Sequence, residues 1–511
     1  MLRIGWWWYA VGMSMLTVFT MIVVKDDRAE VRPLPEVQAE RSYARPTEPI
    51  PKGPAAVSPG VVKAGSAATS ASPDEFEFGP MAKIQTPNGG GGWETIEAVA
   101  VGDVTGDGRD DLIVQPYINV LRVYAQRSDG KLAAPREFRY RSDDNYLHSK
   151  DMVLADFNGD GVLDVAASGQ DEPSWNHGLV NLLLSGPGGA LVHRQVLTDV
   201  ELPVHYWAAL DVDGDGATDI VGSGNVTDYS MENICGGGSC PHLRIMYGDG
   251  KGGFTRAEDE NLREPYQINL LPATDIDGDG RRDVVYSFAG DSSRSGKTVV
   301  RLRKADGGIG EPGTVFTHDV GGGVGQTLAD FTSEGQVDFF TRGLLYSRGA
   351  TGSYTSTELP SYTIRSSWNA AADFDGDGMA DVATVQTDFN SGTAVVVLYL
   401  QRDGGLNRYY FSSNQFELDK VNIEENALAV GDLNGDGCKD LVVSANYEGV
   451  LIFPGRNCVQ RTPRMQVCDL RQPGEVPLMQ TSLPAPHRSL SLNIRESAPG
   501  GGGRDTRRLE R

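Results

Sequence analysis

Residues 156–164 read "DFNGDGVLD", and the same spacing of acidic residues returns six more times along the 511-residue chain. In this stretch Asp156, Asn158, Asp160 and Asp164 place short oxygen-bearing side chains at the first, third, fifth and ninth positions. Gly159 and Gly161 permit the backbone angles that fold a short loop back on itself. Side chains at these odd positions of a tight loop converge on one point.

Converging oxygen atoms are the ligands that calcium prefers, since this cation takes roughly six to eight of them at relaxed geometry. The pattern therefore predicts a calcium loop at each repeat. The competing interpretation is an Asx-turn hairpin that holds no metal.

Aligned on the first Asp, the repeats begin at residues 103, 156, 211, 275, 330, 373 and 432, and six of them keep all four ligand positions. The predicted ligands are Asp103, Thr105, Asp107 and Asp111, with the Arg109 carbonyl; Asp156, Asn158, Asp160 and Asp164; Asp211, Asp213, Asp215 and Asp219; Asp275, Asp277, Asp279 and Asp283; Asp373, Asp375, Asp377 and Asp381; and Asp432, Asn434, Asp436 and Asp440.

The fifth loop, "DFTSEGQVD" at residues 330–338, departs from the pattern. Ser333 replaces a glycine and Glu334 replaces an aspartate, although Asp330, Thr332 and Asp338 still offer oxygen atoms. The longer Glu334 side chain crowds the loop. We expect weak or absent metal binding there, and therefore about six calcium sites in the chain.

Each loop is flanked by short β-prone runs, for example "DMVLAD" before the second loop and "DVAASG" after it, which predict a hairpin. A third run such as "LRIMYG" and a fourth such as "GGFTRAED" follow in most repeats. Four-stranded units repeated in this way are propeller blades. The sequence predicts an all-β, seven-bladed β-propeller, in which "FEFGPMAKIQ" at residues 76–85 supplies the outer strand of the last blade and closes the ring.

The loop motif and the blade pattern together resemble the FG-GAP/VCBS repeat family, whose calcium-binding propellers include the head of integrin α-chains. The resemblance covers residues 76–457. It implies the propeller fold and bound calcium. It implies little about function, because such propellers serve as adhesins, lectins, scaffolds and accessory parts of enzymes.

The chain ends differ from the repeats in composition. Residues 1–28, "MLRIGWWWYAVGMSMLTVFTMIVVKDDR", predict an apolar helix that acts as an uncleaved signal anchor or, alternatively, as a cleaved signal peptide. Residues 29–75 are rich in Pro and Ala and predict a disordered linker, and residues 458–511 predict a mostly disordered tail. The protein is therefore expected to be exported, at the periplasm or cell surface, with only the N-terminal segment in the membrane.

Charge and motifs limit the possible functions. The formal net charge of −23 argues against nucleic-acid binding, which needs a basic surface. No catalytic motif is recognisable. Long loops opposite the calcium loops offer a possible ligand face with Trp175, His177, His205, Tyr206 and Tyr229, whereas Trp207 and Trp368 are interpreted as packing between blades. We predict a binding, adhesion or scaffold module for a glycan or protein; the alternative is a polysaccharide lyase or hydrolase.

Five cysteines suit an oxidising compartment. Cys235 and Cys240 are close enough in sequence for a local disulfide, and half of a zinc site is the competing interpretation. Cys438 lies in the seventh loop and Cys458 follows the third strand of the same blade, so antiparallel alternation predicts a Cys438–Cys458 disulfide. This pairing leaves Cys468 unpaired, and a Cys458–Cys468 disulfide is the alternative.

Overall fold

A computed structural model describes residues 76–84, 95–116, 120–139, 147–171, 178–186, 188–197, 206–227, 239–262, 268–288, 296–318, 325–349, 352–360, 367–388, 393–417, 427–445 and 449–459. Within these ranges every regular secondary-structure element is a β-strand. The described residues include no helix that is long and apolar enough to cross a membrane. The predicted N-terminal helix, the linker and all of the predicted tail after Val459 lie outside the described residues.

Strands β1 (Glu77–Phe78) and β2 (Ala82–Ile84) precede six antiparallel sheets, each built from four consecutive strands. The first blade contains β3 (Ile96–Gly102), β4 (Asp111–Pro116), β5 (Val120–Tyr124) and β6 (Arg136–Arg139). The second contains β7 (Leu147–Ala155), β8 (Asp164–Asp171), β9 (Gly178–Gly186) and β10 (Ala190–Leu197). The third contains β11 (Tyr206–Leu210), β12 (Asp219–Thr227), β13 (Ser239–Gly248) and β14 (Phe254–Asn261).

The fourth blade contains β15 (Ile268–Leu270), β16 (Val284–Phe288), β17 (Gly296–Arg301) and β18 (Gly313–His318). The fifth contains β19 (Thr327–Ala329), β20 (Asp338–Thr341), β21 (Leu344–Arg348) and β22 (Tyr354–Glu358). The sixth contains β23 (Ser367–Ala372), β24 (Asp381–Asp388), β25 (Thr393–Arg402) and β26 (Gly405–Glu417).

The seventh blade is assembled from both ends of the propeller. Strands β27 (Leu428–Gly431), β28 (Asp440–Ala445) and β29 (Gly449–Phe453) come from the C-terminal part, and β2 pairs with β29 as the fourth strand. Strand β30 (Gly455–Arg456) then pairs with β1. The predicted closure by the 76–85 segment is therefore confirmed.

Burial follows strand position within a blade. The second and third strands of the first blade, β4 and β5, are buried throughout, whereas the outer strands β6, β14 and β22 are mostly exposed and polar. Strands covered on both faces need apolar residues at successive positions, and charged outer edges discourage pairing with other chains.

Seven apolar clusters join the blades, and each cluster draws its buried residues from two neighbouring blades. Ile113 of the first blade packs in one cluster with Val165 of the second. Leu112 of the first blade packs in another with Val442 of the seventh, so the ring is closed by the same kind of contact that builds it. Trp207 and Trp368 belong to two of these clusters, as predicted for packing residues.

A disulfide joins Cys438 and Cys458, whose Cα atoms are 5.5 Å apart. The predicted pairing is confirmed, and the Cys458–Cys468 alternative is wrong. Closing a loop over a separation of 20 residues stabilises the folded chain by about 3 kcal/mol in the chain-entropy account. Cys235 lies outside the described residues and the side chain of Cys240 is likewise not described, so that pairing stays a prediction.

Candidate metal centres

The seven acidic loops each join the first strand of a blade to the second. The first strands lie toward the ring axis, because β3 contacts both β7 and β27. All seven loops therefore lie on the same face of the ring. Gly159 at the fourth position of the second loop has a φ of 76°, which a glycine adopts without strain, whereas Ser333 holds a φ of 58° in the fifth loop.

The ninth aspartate of each loop holds two separate backbone segments together. In the second loop, one carboxylate oxygen of Asp164 accepts a hydrogen bond from the Phe157 N–H at 2.9 Å, and the other accepts one from the Ser185 N–H at 2.7 Å. The first donor lies in the loop and the second lies at the end of the third strand. The same pair of bonds is made by Asp111, Asp219, Asp283, Asp338, Asp381 and Asp440.

The first aspartate of each loop folds the loop around itself. In the second loop, Asp156 accepts hydrogen bonds from the Gly159 N–H at 2.7 Å and the Gly161 N–H at 2.8 Å. The bond to the sixth residue recurs in every loop, with Asp103, Asp211, Asp275, Asp330, Asp373 and Asp432 as acceptors. The first and ninth positions thus determine the loop conformation.

Burial raises the pKa of the ninth aspartates, because the surrounding blade excludes the water that solvates a carboxylate. The pKa rises to about 8 for Asp381 and to about 7 for Asp440. It rises to about 6 for the other five, namely Asp111, Asp164, Asp219, Asp283 and Asp338. The backbone N–H donors act in the opposite direction and favour the ionised form.

In three loops, three carboxylates offer oxygen atoms that all lie within 4.8 Å of one another. These groups are Asp211, Asp213 and Asp219; Asp275, Asp277 and Asp279; and Asp373, Asp375 and Asp381. One buried oxygen of Asp373 has no hydrogen-bond partner among the described residues. An all-oxygen donor set with an unused acceptor fits a hard cation such as calcium.

Arginine side chains contact several of these carboxylates, a feature that the sequence analysis missed. Arg402, at the end of β25, contacts both Asp375 and Asp377 of the sixth loop. Arg109 contacts Asp107, and Arg281 contacts Asp279, each within its own loop. In the sequence, Arg402 directly precedes the "DGG" turn after the third strand. This position could have predicted that its side chain lies near the acidic loop of the same blade.

The fifth loop has the same backbone hydrogen bonds and different side-chain chemistry. Thr332 donates a hydrogen bond from its hydroxyl to Asp338 at 2.9 Å, where the sixth loop has the carboxylate of Asp375. The Ser333 hydroxyl accepts a hydrogen bond from the Gln401 side chain at 2.8 Å, and Glu334 is exposed. This loop therefore brings fewer carboxylates together.

Four of the five residues predicted for a ligand face, Trp175, His177, His205 and Tyr229, lie outside the described residues. Tyr206 is half-buried at the start of β11. The predicted ligand face therefore stays a prediction.

Comparison with solved structures finds matches of low similarity. Bacillus licheniformis rhamnogalacturonan lyase PL11 is 17% identical with a TM-score of 0.38, covering 73% of this chain and 75% of that chain. The exotype rhamnogalacturonan lyase YesX is 15% identical with a TM-score of 0.38, covering 74% and 76%. BBS1N in complex with ARL6DN is 12% identical with a TM-score of 0.41, covering 71% and 93%.

No curated protein sequence matches the chain significantly. The family profile of the FG-GAP-like repeat, in contrast, matches three regions, residues 103–167, 211–286 and 373–443. Each region begins at the first aspartate of an acidic loop and ends within the second strand of the next blade. These matches identify FG-GAP-like repeats in three regions of a chain whose described residues form a seven-bladed β-propeller.

Proposed function

We propose that this protein is a calcium-stabilised propeller that serves as a binding or scaffold module at the cell envelope. The observation that carries the calcium assignment is the convergence of three carboxylates within 4.8 Å in each of three loops. Like charges at this separation repel one another, so the loops favour a divalent cation between them.

The loop residues divide into two groups. The first and ninth aspartates are held by backbone N–H groups, and both retain lone pairs for a cation. The third and fifth residues, such as Asp213 and Asp215, add carboxylate oxygens. The blade still forms in the fifth loop, where Thr332 and Glu334 replace these aspartates. A bound calcium ion supplies positive charge where these oxygens meet and links the loop to the second strand.

The proposed location outside the cytoplasm suits this chemistry. Extracellular calcium modules bind with dissociation constants of about 10⁻⁴–10⁻³ M, and such weak sites fill only where calcium is abundant. The N-terminal segment, residues 1–28, is the proposed membrane anchor or signal peptide. The Cys438–Cys458 disulfide is also a bond that persists in an oxidising compartment.

Thermal unfolding of the purified protein in calcium and in EDTA tests the calcium assignment. At a free calcium concentration ten times the dissociation constant, each site stabilises the fold by about 1.4 kcal/mol. We expect a clearly higher unfolding midpoint in calcium, and magnesium at the same concentration is the control for ionic strength. An unchanged midpoint contradicts structural calcium.

The binding role needs a separate test, because a propeller scaffold is compatible with many activities. A glycan array and capture of envelope proteins measure binding, and an assay for new reducing ends on acidic and neutral polysaccharides measures cleavage. We expect binding without cleavage. New reducing ends that disappear on heat treatment of the protein would instead support the polysaccharide-cleaving alternative.

A further inference from the structure

The turn between the third and fourth strands of one blade packs on the acidic loop of the preceding blade. The Gly252 N–H of the third blade donates a hydrogen bond to the Phe157 carbonyl of the second loop at 3.0 Å. The Gly308 N–H of the fourth blade does the same to the Val212 carbonyl of the third loop at 2.9 Å. These turns therefore hold the neighbouring loop at its second residue.

Other blades make the same contact with different atoms. Gly189 of the second blade lies against the Thr105 carbonyl, and Gly404 of the sixth lies against the Thr332 carbonyl. Gly130 of the first blade lies so close to the Asn434 carbonyl that a Cβ atom there would be 2.1 Å from it. In the fifth blade, the Arg348 side chain donates a hydrogen bond to the Ile276 carbonyl of the fourth loop.

The seventh blade has no such turn, because its fourth strand, β2, comes from the N-terminal segment. The sixth loop would then lose the contact that the other six loops have. Val459 takes the place of the missing turn: its N–H donates a hydrogen bond to the Asp375 carbonyl at 2.6 Å, and Gly376 lies against its carbonyl.

The disulfide explains why Val459 stays there. Val459 directly follows Cys458, which is bonded to Cys438. Val459 is 60% exposed, so apolar packing does not hold this residue in place. The tether through Cys458 and the backbone contacts to the sixth loop are what position it.

We propose that the disulfide-tethered segment at residues 458–459 is a positioning element for the sixth calcium loop, in place of a strand turn. This inference rests on the proposed calcium binding. It assigns to Val459 a backbone role: its N–H fixes the Asp375 carbonyl, and with it the carboxylate of Asp375 that would bind the cation.

A proline at this position tests the proposal, because Val459→Pro removes the N–H donor and fixes the backbone φ, whereas Val459→Ala keeps the donor. Calcium binding is measured by calorimetric titration of the full chain. We expect Val459→Pro to weaken one of the calcium sites about fivefold, the loss typical of one hydrogen bond. Val459→Ala should bind as the unmodified protein does. The double substitution of Cys438→Ser with Cys458→Ser should weaken that site at least as much.

The affected loop is identified by combining substitutions. The difference between Val459→Pro and Val459→Ala should vanish when Asp375→Asn removes the sixth site, and should persist when Asp436→Asn weakens the seventh. Calcium binding that is the same in both Val459 variants overturns this inference and leaves the proposed calcium sites standing. Absence of calcium binding by the unmodified protein overturns both.

Discussion

The fifth and sixth loops belong to neighbouring blades and fold in the same way, but only the sixth brings three carboxylates close together. In both, the ninth aspartate accepts two backbone N–H bonds: Asp338 from Phe331 and Arg348, and Asp381 from Phe374 and Gln401. Only the sixth brings three carboxylates within 4.8 Å. The fifth has Thr332 and Glu334 at the third and fifth positions.

The comparison separates two roles that the repeated motif combines. The first and ninth aspartates are required for the loop conformation, since the fifth loop keeps both and folds without the others. The third and fifth residues are then available for the proposed cation. A loop that loses its ligands can therefore remain part of the ring.

Removing the ninth aspartate should lower the free energy of unfolding more than any other change, and by the same amount in both loops. Asp381→Ala leaves two buried N–H groups without an acceptor, and Asp338→Ala leaves one buried and one part-buried N–H group. Each such group costs about 1–3 kcal/mol. We expect a loss of about 2–6 kcal/mol in the free energy of unfolding, measured by denaturant titration in EDTA. A loss confined to Asp381→Ala would mean that the two loops are not held alike.

The pH dependence of stability without calcium should differ between the two aspartates. The pKa in the folded protein, about 8 for Asp381 and about 6 for Asp338, exceeds the ordinary value of 3.8, so the folded chain binds more protons. Each group therefore makes stability highest near pH 4 and lowers it as pH rises through the folded pKa, by about 1.4 kcal/mol per pH unit.

Unfolding midpoints in EDTA from pH 4 to 8 measure this difference. Asp381→Asn should flatten the decline of the unfolding midpoint across the range from about pH 4 to 8, whereas Asp338→Asn should flatten only the part below about pH 6. In calcium the trend should weaken, because the cation binds only the ionised carboxylates. The same flattening with both variants would contradict the assigned pKa order.

Converting the fifth loop to the sixth-loop pattern should create a calcium site. The triple substitution of Thr332→Asp, Ser333→Gly and Glu334→Asp adds the missing third-position carboxylate and shortens the fifth-position one, on a backbone that is already folded. We expect one additional bound calcium per chain by equilibrium dialysis, and about 1.4 kcal/mol of added stability at tenfold saturation. Asp375→Asn is the matched control, and we expect this variant to bind one calcium ion fewer per chain.

Substituting only the strained residue should have the smallest effect. Ser333 holds a φ of 58°, which costs about 1–2 kcal/mol outside glycine, but its hydroxyl also accepts the bond from Gln401. Ser333→Gly removes the backbone strain and also removes the hydrogen bond from Gln401. Because the two effects oppose each other, we expect the free energy of unfolding in EDTA to change by less than about 1 kcal/mol, with no additional bound calcium. Added calcium with this variant alone would show that the third and fifth ligands are dispensable.

Local patterns determine much of this structure, and the sequence predicts those parts well. The acidic repeats with flanking β-prone runs predicted the seven blades, and strand alternation within the last blade predicted the Cys438–Cys458 disulfide. The contacts of Arg402 and Val459 with the sixth loop were not predicted, because they depend on how hairpins and blades meet in the closed ring.

The ninth aspartate was predicted only as a ligand, although the sequence holds a signal of its other role. The fifth loop keeps Asp338 although Thr332 and Glu334 stand where the sixth loop has aspartates at the third and fifth positions. A residue that is retained where the rest of the motif has changed is expected to have a role in the fold. Its two backbone donors lie on separate segments, Phe331 in the loop and Arg348 at the end of β21, so only the folded blade reveals them.

The central claim is that six loops bind calcium and that the fifth folds without it. Anomalous diffraction from crystals grown with calcium, recorded at a long X-ray wavelength, tests this claim most directly. We predict one anomalous peak in each of the loops at residues 103–111, 156–164, 211–219, 275–283, 373–381 and 432–440, and none at residues 330–338. Empty density in all of the loops, or a peak in the fifth as strong as the others, would contradict the claim.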